Sequence, residues 1–271
     1  MAQSEPESAS IADLVTRHYG STGLAATIRR ALAEHGVDVE HLTVGDLSPV
    51  DQLHAGFAGA TQHVLDRLGI REGIRLLDVG SGIGGPSRLA AAAGARVTGV
   101  DLTPEFVQTA TELSEWTGLA GQTEFKVTPS DVLAVPDASF DAAMMIHVGM
   151  NVPDKQALFA EVHRALVPGG WFAVYDQMRA ADGVLPWPQP WAEDDRSSFV
   201  QAPEEYAAQL AAAGFTVEET ENRTDATAGP PPPGLTAGVV FGEAFMQRIG
   251  NNVAATRDGL LGAFLILARK G

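Results

Sequence analysis

The stretch Arg75-Leu-Leu-Asp-Val-Gly-Ser-Gly-Ile-Gly-Gly-Pro-Ser-Arg88 constrains this chain more than any other. Leu76, Leu77 and Val79 make the apolar run that a buried parallel strand requires, and the run ends in a glycine cluster. Pro86 then opens an Ala-rich segment, as proline does in the first turn of a helix. Gly80, Gly82 and Gly85 fit G-x-G-x-x-G, where missing side chains let backbone N–H groups come close to a ligand. Plain strand-to-helix packing uses such turns too, so the rest of the chain decides what this one means.

Downstream, short apolar strands alternate with helices. Ala95–Asp101, Thr123–Val127, Phe140–His147, Gly170–Asp176, Phe215–Glu221 and Leu261–Arg269 read as strands. Helices are expected from Pro104 to near Gly118, over Asp154–Leu166 and over Pro203–Ala213, and a turn at Pro168-Gly-Gly170. This order predicts an α/β, Rossmann-like, doubly wound and mostly parallel sheet over residues 70–271. Residues 11–69 carry helical spacing without strand signals, with a turn around Pro49 and a helix from about Ala55 to Leu68. They read as an N-terminal cap or lid, and residues 1–10 as a disordered tail. The Pro/Trp-rich residues 180–200 form an insertion expected to overhang the strand ends. Gly229-Pro-Pro-Pro-Pro-Gly234 reads as a stiff break before a helix over Ala237–Arg248.

Charge narrows the partners. Eighteen Lys and Arg stand against 34 Asp and Glu, a formal charge of −16. Nucleic acid and anionic membranes both need a basic footprint, so neither is expected. The chain has no cysteine, which removes thiolate chemistry, disulfides and Cys-based zinc sites. Its seven His residues show no metal-ligand spacing, and no metal is expected. Met1–Ser10 lacks the apolar core of a signal peptide, so a cytoplasmic location is the expectation.

Ligands of open α/β sheets bind beyond the C-terminal ends of the strands. Here those ends carry Asp78, Asp101, Ser130-Asp131, His147 and Asp176. Asp101 follows Gly80 by 21 residues, where a carboxylate can accept both hydroxyls of a ribose. It can equally cap the helix at Pro104. An adenosine-bearing cofactor fits this pattern, either a dinucleotide or S-adenosylmethionine. Pyrophosphate favours backbone amides and a basic partner, whereas a sulfonium tolerates carboxylates such as Asp78.

Leu76-Leu-Asp-Val-Gly-Ser-Gly-Ile-Gly-Gly85, Val97-Thr-Gly-Val-Asp101, Ser130-Asp131, Phe140-Asp141 and Leu166-Val-Pro-Gly-Gly170 resemble the successive motifs of class I S-adenosylmethionine-dependent methyltransferases. Pro49-Val-Asp-Gln-Leu-His54 and Ile146-His-Val-Gly-Met-Asn151 resemble a bacterial small-molecule subgroup akin to the ubiquinone/menaquinone and sarcosine/dimethylglycine types. The resemblance implies a seven-stranded sheet with an antiparallel last strand. It implies that Gly80, Ser81 and Gly82 pack on the methionine moiety, and that Asp101 holds the ribose with Leu102 against the adenine. Asp131 would take the adenine amino group, helped by the backbone of Val132. His147 would sit near the methyl group.

The expected reaction is methyl transfer to an N, O or C atom of a small metabolite. His147 is the candidate base because its reference pKa lies near neutrality, with Asp176 to orient it or replace it. A satisfied core histidine is the competing reading. Trp187 and Trp191, beside Glu193, Asp194 and Asp195, could cradle a cationic or aromatic acceptor, or simply pack the loop. An NAD(P)-dependent oxidoreductase is the alternative activity. The sequence leaves the acceptor open, and a homodimer with it.

Overall fold

The computed structural model describes residues 23–129, 132–227, 235 and 237–271. The expected N-terminal tail, the Gly229–Gly234 break and the Ser130-Asp131 pair lie outside them. Seven strands form one sheet in the order β3-β2-β1-β4-β5-β7-β6. They are β1 (Arg75–Val79), β2 (Arg96–Asp101), β3 (Thr123–Val127), β4 (Phe140–Ile146), β5 (Leu166–Arg179), β6 (Phe215–Asn222) and β7 (Leu261–Lys270). β7 runs antiparallel to both its neighbours, and the strands from β3 to β5 pair in parallel. The doubly wound reading and its antiparallel last strand therefore hold.

The helices are α1 (Leu24–Glu34), α2 (Val44–Asp51), α3 (Phe57–Arg67), α4 (Gly85–Ala92), α5 (Pro104–Trp116), α6 (Lys155–Ala165), α7 (Pro203–Ala212), α8 (Thr224–Thr227) and α9 (Ala237–Arg257). Alternation along the strands sends side chains to two cores. Val79, Ala143, Phe172 and Val174 pack with Phe159 of α6 and Tyr206 of α7 on one face. Leu76, Met144, Ala173 and Tyr175 pack with Val64 of α3 and Ala90 of α4 on the other. Because both faces are covered, the strand ends are where polar groups can gather.

Three expectations change. Pro49 lies inside α2 rather than in a turn. A capping box, with Thr43 accepting from the Asp46 amide and Asp46 accepting from the Thr43 amide, starts that helix despite the proline. Pro168-Gly-Gly170 is a register shift within a longer β5 rather than a turn before it. The last helix runs on to Arg257 and breaks at Gly242, whose φ of 83° lies in the left-handed region.

A buried ion pair joins α2 to α4. Arg88 of α4 and Asp51 at the end of α2 are both fully buried, 2.8 Å apart. The same guanidinium donates to Ile83 O at 2.7 Å, and burial lowers its pKa. Leaving one buried charge without its partner costs about 3–5 kcal/mol. Arg88→Met is therefore expected to lower unfolding free energy by roughly that amount in a urea titration, and adding Asp51→Leu should recover part of the loss.

Candidate active site

A cavity opens beyond the ends of β1, β2 and β4. Asp78, the turn Gly80–Gly82, Asp101 and Leu102 line one part of it, and His54 and His147 line another. Gly80 and Gly82 have φ values of 72° and 53°, which glycine adopts without strain. At Gly80 a Cβ would stand 2.3 Å from Val148 Cγ2, so the absent side chain makes room for the turn that follows β4.

The donors of this turn are already used. Gly80 and Ser81 both donate to Val100 O, at 2.8 and 3.0 Å, and Gly84 donates to Ser81 O. Gly82 donates to Asp101 Oδ2 at 2.8 Å. With the Gly80, Ser81 and Gly82 amides engaged within the protein, these glycines serve close approach, and a phosphate could meet only amides at the start of α4. This weakens the physical support for the dinucleotide alternative.

What faces the cavity instead is acidic. Asp101 also accepts from the Thr103 amide at 2.9 Å, an Asx-type bond ahead of α5 whose N-cap is Thr103 and not Asp101, and it keeps lone pairs for further hydroxyls. Burial raises its pKa. Asp78 accepts from Ser87 Oγ at 2.6 Å, and burial pushes it up to about 7, with the nearby Asp101 charge adding to the rise. A cation between these carboxylates would offset that desolvation. Ser81 Oγ is buried without a partner, a polar atom left for a ligand. The turn, the two carboxylates and this orphan hydroxyl fit a cationic adenosyl cofactor.

His147 sits beyond β4 with a φ of 56°, a conformation that costs a non-glycine residue about 1–3 kcal/mol. Its ring lies 5.5 Å from that of Tyr175 and 5.7 Å from that of His54. Burial and the neighbouring His54 hold its pKa well below the usual imidazole value, so it is neutral at pH 7. Its Nε2 is buried and unpartnered.

His54 is the cavity residue that periodicity missed, since it follows a short helix and belongs to no apolar stripe. Its Nε2 lies 2.9 Å from Thr61 Oγ1 and 3.1 Å from Gln52 Oε1, and its Nδ1 lies 3.2 Å from Ala55 O. Burial pushes it down to about 4. Tyr175 donates to that same Ala55 oxygen at 2.9 Å, tying β5 to the segment that carries His54.

Asp176 does not reach this cavity. Strand alternation turns it away from Tyr175, into full burial, where it accepts from the amides of Val148 at 2.8 Å and Gly149 at 2.9 Å and from the Tyr206 hydroxyl at 3.0 Å. Burial pushes it up to about 7. Asp176, expected to orient His147 or replace it as the base, is thus a clamp on the backbone after His147. Val132 is 57% exposed, and it is Leu133 that lines the cavity. Trp191 packs among Met150, Leu185 and Leu261 and donates to Ser198 Oγ, so its indole is loop packing and not a cavity wall.

Residues 77–174 match the family model described as "Methyltransferase domain". This stretch, about a third of the chain, is what is similar to a methyltransferase domain. It is similar to a sterol 24-C-methyltransferase from Gibberella zeae, 33% identical over 46% of this chain and 33% of that protein. It is also similar to the 2-methyl-6-phytyl-1,4-hydroquinone methyltransferase of Synechocystis, 38% identical over 44% of this chain and 37% of that one. The matches span about a third of these relatives' lengths. Among solved structures, the cyclase SpnF shares the fold with a TM-score of 0.65 at 21% identity, over 96% of both chains. Among the described residues no helix is long and apolar enough to cross a membrane, and no three His, Asp or Glu gather to hold a metal.

The fit between the glycine turn and the turn after β4 depends on Gly80. Gly80→Ala combines a disfavoured φ with the Val148 contact and should cost about 2–4 kcal/mol in chemical denaturation. Binding of S-adenosylhomocysteine, read by calorimetry, should weaken with it.

Proposed function

We propose that the protein transfers a methyl group from S-adenosylmethionine to a nucleophilic atom of a small molecule. The observation that carries this reading is the acidic cavity walled by Asp78 and Asp101, whose glycine turn spends its Gly80, Ser81 and Gly82 amides within the protein, which suits a sulfonium better than a pyrophosphate. Gly80, Ser81 and Gly82 hold the methionine end, Asp78 complements the positive charge, and Asp101 accepts from the ribose with Leu102 beside the adenine. Asp131, though outside the described residues, remains our candidate for the adenine amino group, and Val132 for a backbone contact. When bound, the cofactor supplies an activated methyl group with a good leaving group.

The chain's own part is to position the acceptor, exclude water and remove a proton where the acceptor needs it. His147 is the candidate base: neutral at pH 7, its ring on the cavity wall. The similarity to sterol and phytyl-hydroquinone methyltransferases supports a small organic acceptor, while the acceptor atom (N, O or C) stays open in this reading. A cytoplasmic, bacterial setting and a homodimer complete the proposal, supported by the cysteine-free acidic composition and the motif resemblance. Residues 11–69 then act as the cap of the domain spanning residues 70–271.

Calorimetry separates the activities first: S-adenosylmethionine and S-adenosylhomocysteine are expected to bind, and NAD is not. Tight NAD binding without either adenosyl ligand would overturn the reading. Because Asp78 is pushed up to about 7, cation binding at pH 7 should release a fraction of a proton. The apparent enthalpy should then vary with buffer ionisation enthalpy, and Asp78→Asn should abolish that variation. Methyl transfer from labelled cofactor into a metabolite extract identifies the acceptor. His147→Ala should lose about 100-fold or more in kcat with cofactor affinity retained, and unchanged turnover would remove His147 from the mechanism.

A further inference from the structure

The strained backbone at His147 is held from the opposite face of the sheet. The peptide N–H of His147 donates to Tyr175 O at 2.8 Å, and the next two amides are taken up by Asp176. Asp176 is itself fixed by Tyr206, and both are fully buried. Lys155, 1% exposed, has its Nζ 5.2 Å from the centre of the Tyr206 ring and donates to Val152 O at 3.0 Å and Phe199 O at 2.6 Å. The packing leaves no slack. A Cβ on Gly149 would lie 2.4 Å from Asp176 Oδ2 and 2.5 Å from the Tyr206 hydroxyl. A left-handed non-glycine residue persists only where its surroundings over-determine it, and here they are a carboxylate, a phenol and an ammonium group.

We propose that Tyr206 is a positioning residue for His147, acting through the Asp176 carboxylate and the Val148 and Gly149 amides. The inference rests on the reading of His147 as the base. Ionised, Asp176 accepts both amides and the phenol in charge-assisted bonds, and protonating it weakens those bonds and loosens the His147 turn. The groups facing this carboxyl are Lys155 from α6 and Tyr206 from α7, together with the Val148 and Gly149 amides, while Glu205 acts on Tyr206 and Lys155 and Tyr175 points to the other face. Asp176, pushed up to about 7 like Asp78, then contributes to the acid limb of activity.

The test is Tyr206→Phe, which removes one hydroxyl and keeps the ring. Its kcat is expected to fall about ten-fold, with KM for S-adenosylmethionine within about two-fold of the parent. The acid limb of kcat should move up by roughly half a pH unit, since the charged form of Asp176 loses a donor. Unchanged kcat and an unmoved acid limb in a folded Tyr206→Phe protein would overturn the proposal. Should that variant not fold, the parent decides by NMR. The Val148 and Gly149 amide resonances must titrate together with the Asp176 carboxyl, and static amides overturn the proposal. The two readings fail separately. An active His147→Ala enzyme removes the base, whereas an inactive His147→Ala beside a normal Tyr206→Phe removes only the positioning role.

Discussion

The carbonyl of Val100 receives two amides of the glycine turn, and the Asp101 carboxylate receives a third. This short ladder between the ends of β1 and β2 sets the shape of the whole site. It turns the chain sharply after Asp78, places the start of α4 beside the cavity and consumes donors that would otherwise attract phosphate. Gly80 and Gly82 make it feasible because both need a left-handed φ, and Gly80 also admits Val148. The same glycine spacing that serves dinucleotides elsewhere is here committed internally, and carboxylates define the electrostatics.

From that ladder the cavity is built by three separate attachments. The buried Arg88–Asp51 pair brings the end of α2, and with it His54, over the strand ends. The Tyr175 hydroxyl bonds to Ala55 O and anchors that segment to β5. The Asp176 clamp holds His147 from behind. Each joins parts distant in sequence and buries polar groups with their partners, as a low-dielectric interior demands. Desolvation then sets the protonation states: both histidines neutral, and Asp78 and Asp176 poised near 7. The cavity thus presents a neutral imidazole beside a carboxylate that a bound cation would ionise.

Much of this was legible in the order of residues. Strand ends followed from apolar runs, because a parallel sheet covered on both faces leaves only its ends polar, and Asp78, Asp101 and His147 were found that way. Asp176 was found by the same rule and misassigned, because one step along a strand reverses the side chain. His54 lies in the Pro49–His54 motif but reads there as structural, because no periodicity places it at the strand ends, and Tyr206 escaped because it sits on the buried stripe of an ordinary helix.

By itself, the sequence determined the alternation of strands and helices, the glycine turn and its neighbouring carboxylates, and the acidic, cysteine-free character of the molecule. These are local properties, set by spacing and residue type. Only the tertiary structure decided that the turn's amides are spent within the protein, that His54 meets His147, and that Asp176 with Tyr206 grips the backbone instead of the substrate. Those outcomes depend on which face a side chain enters and on what the opposite element offers there, and burial fixes both.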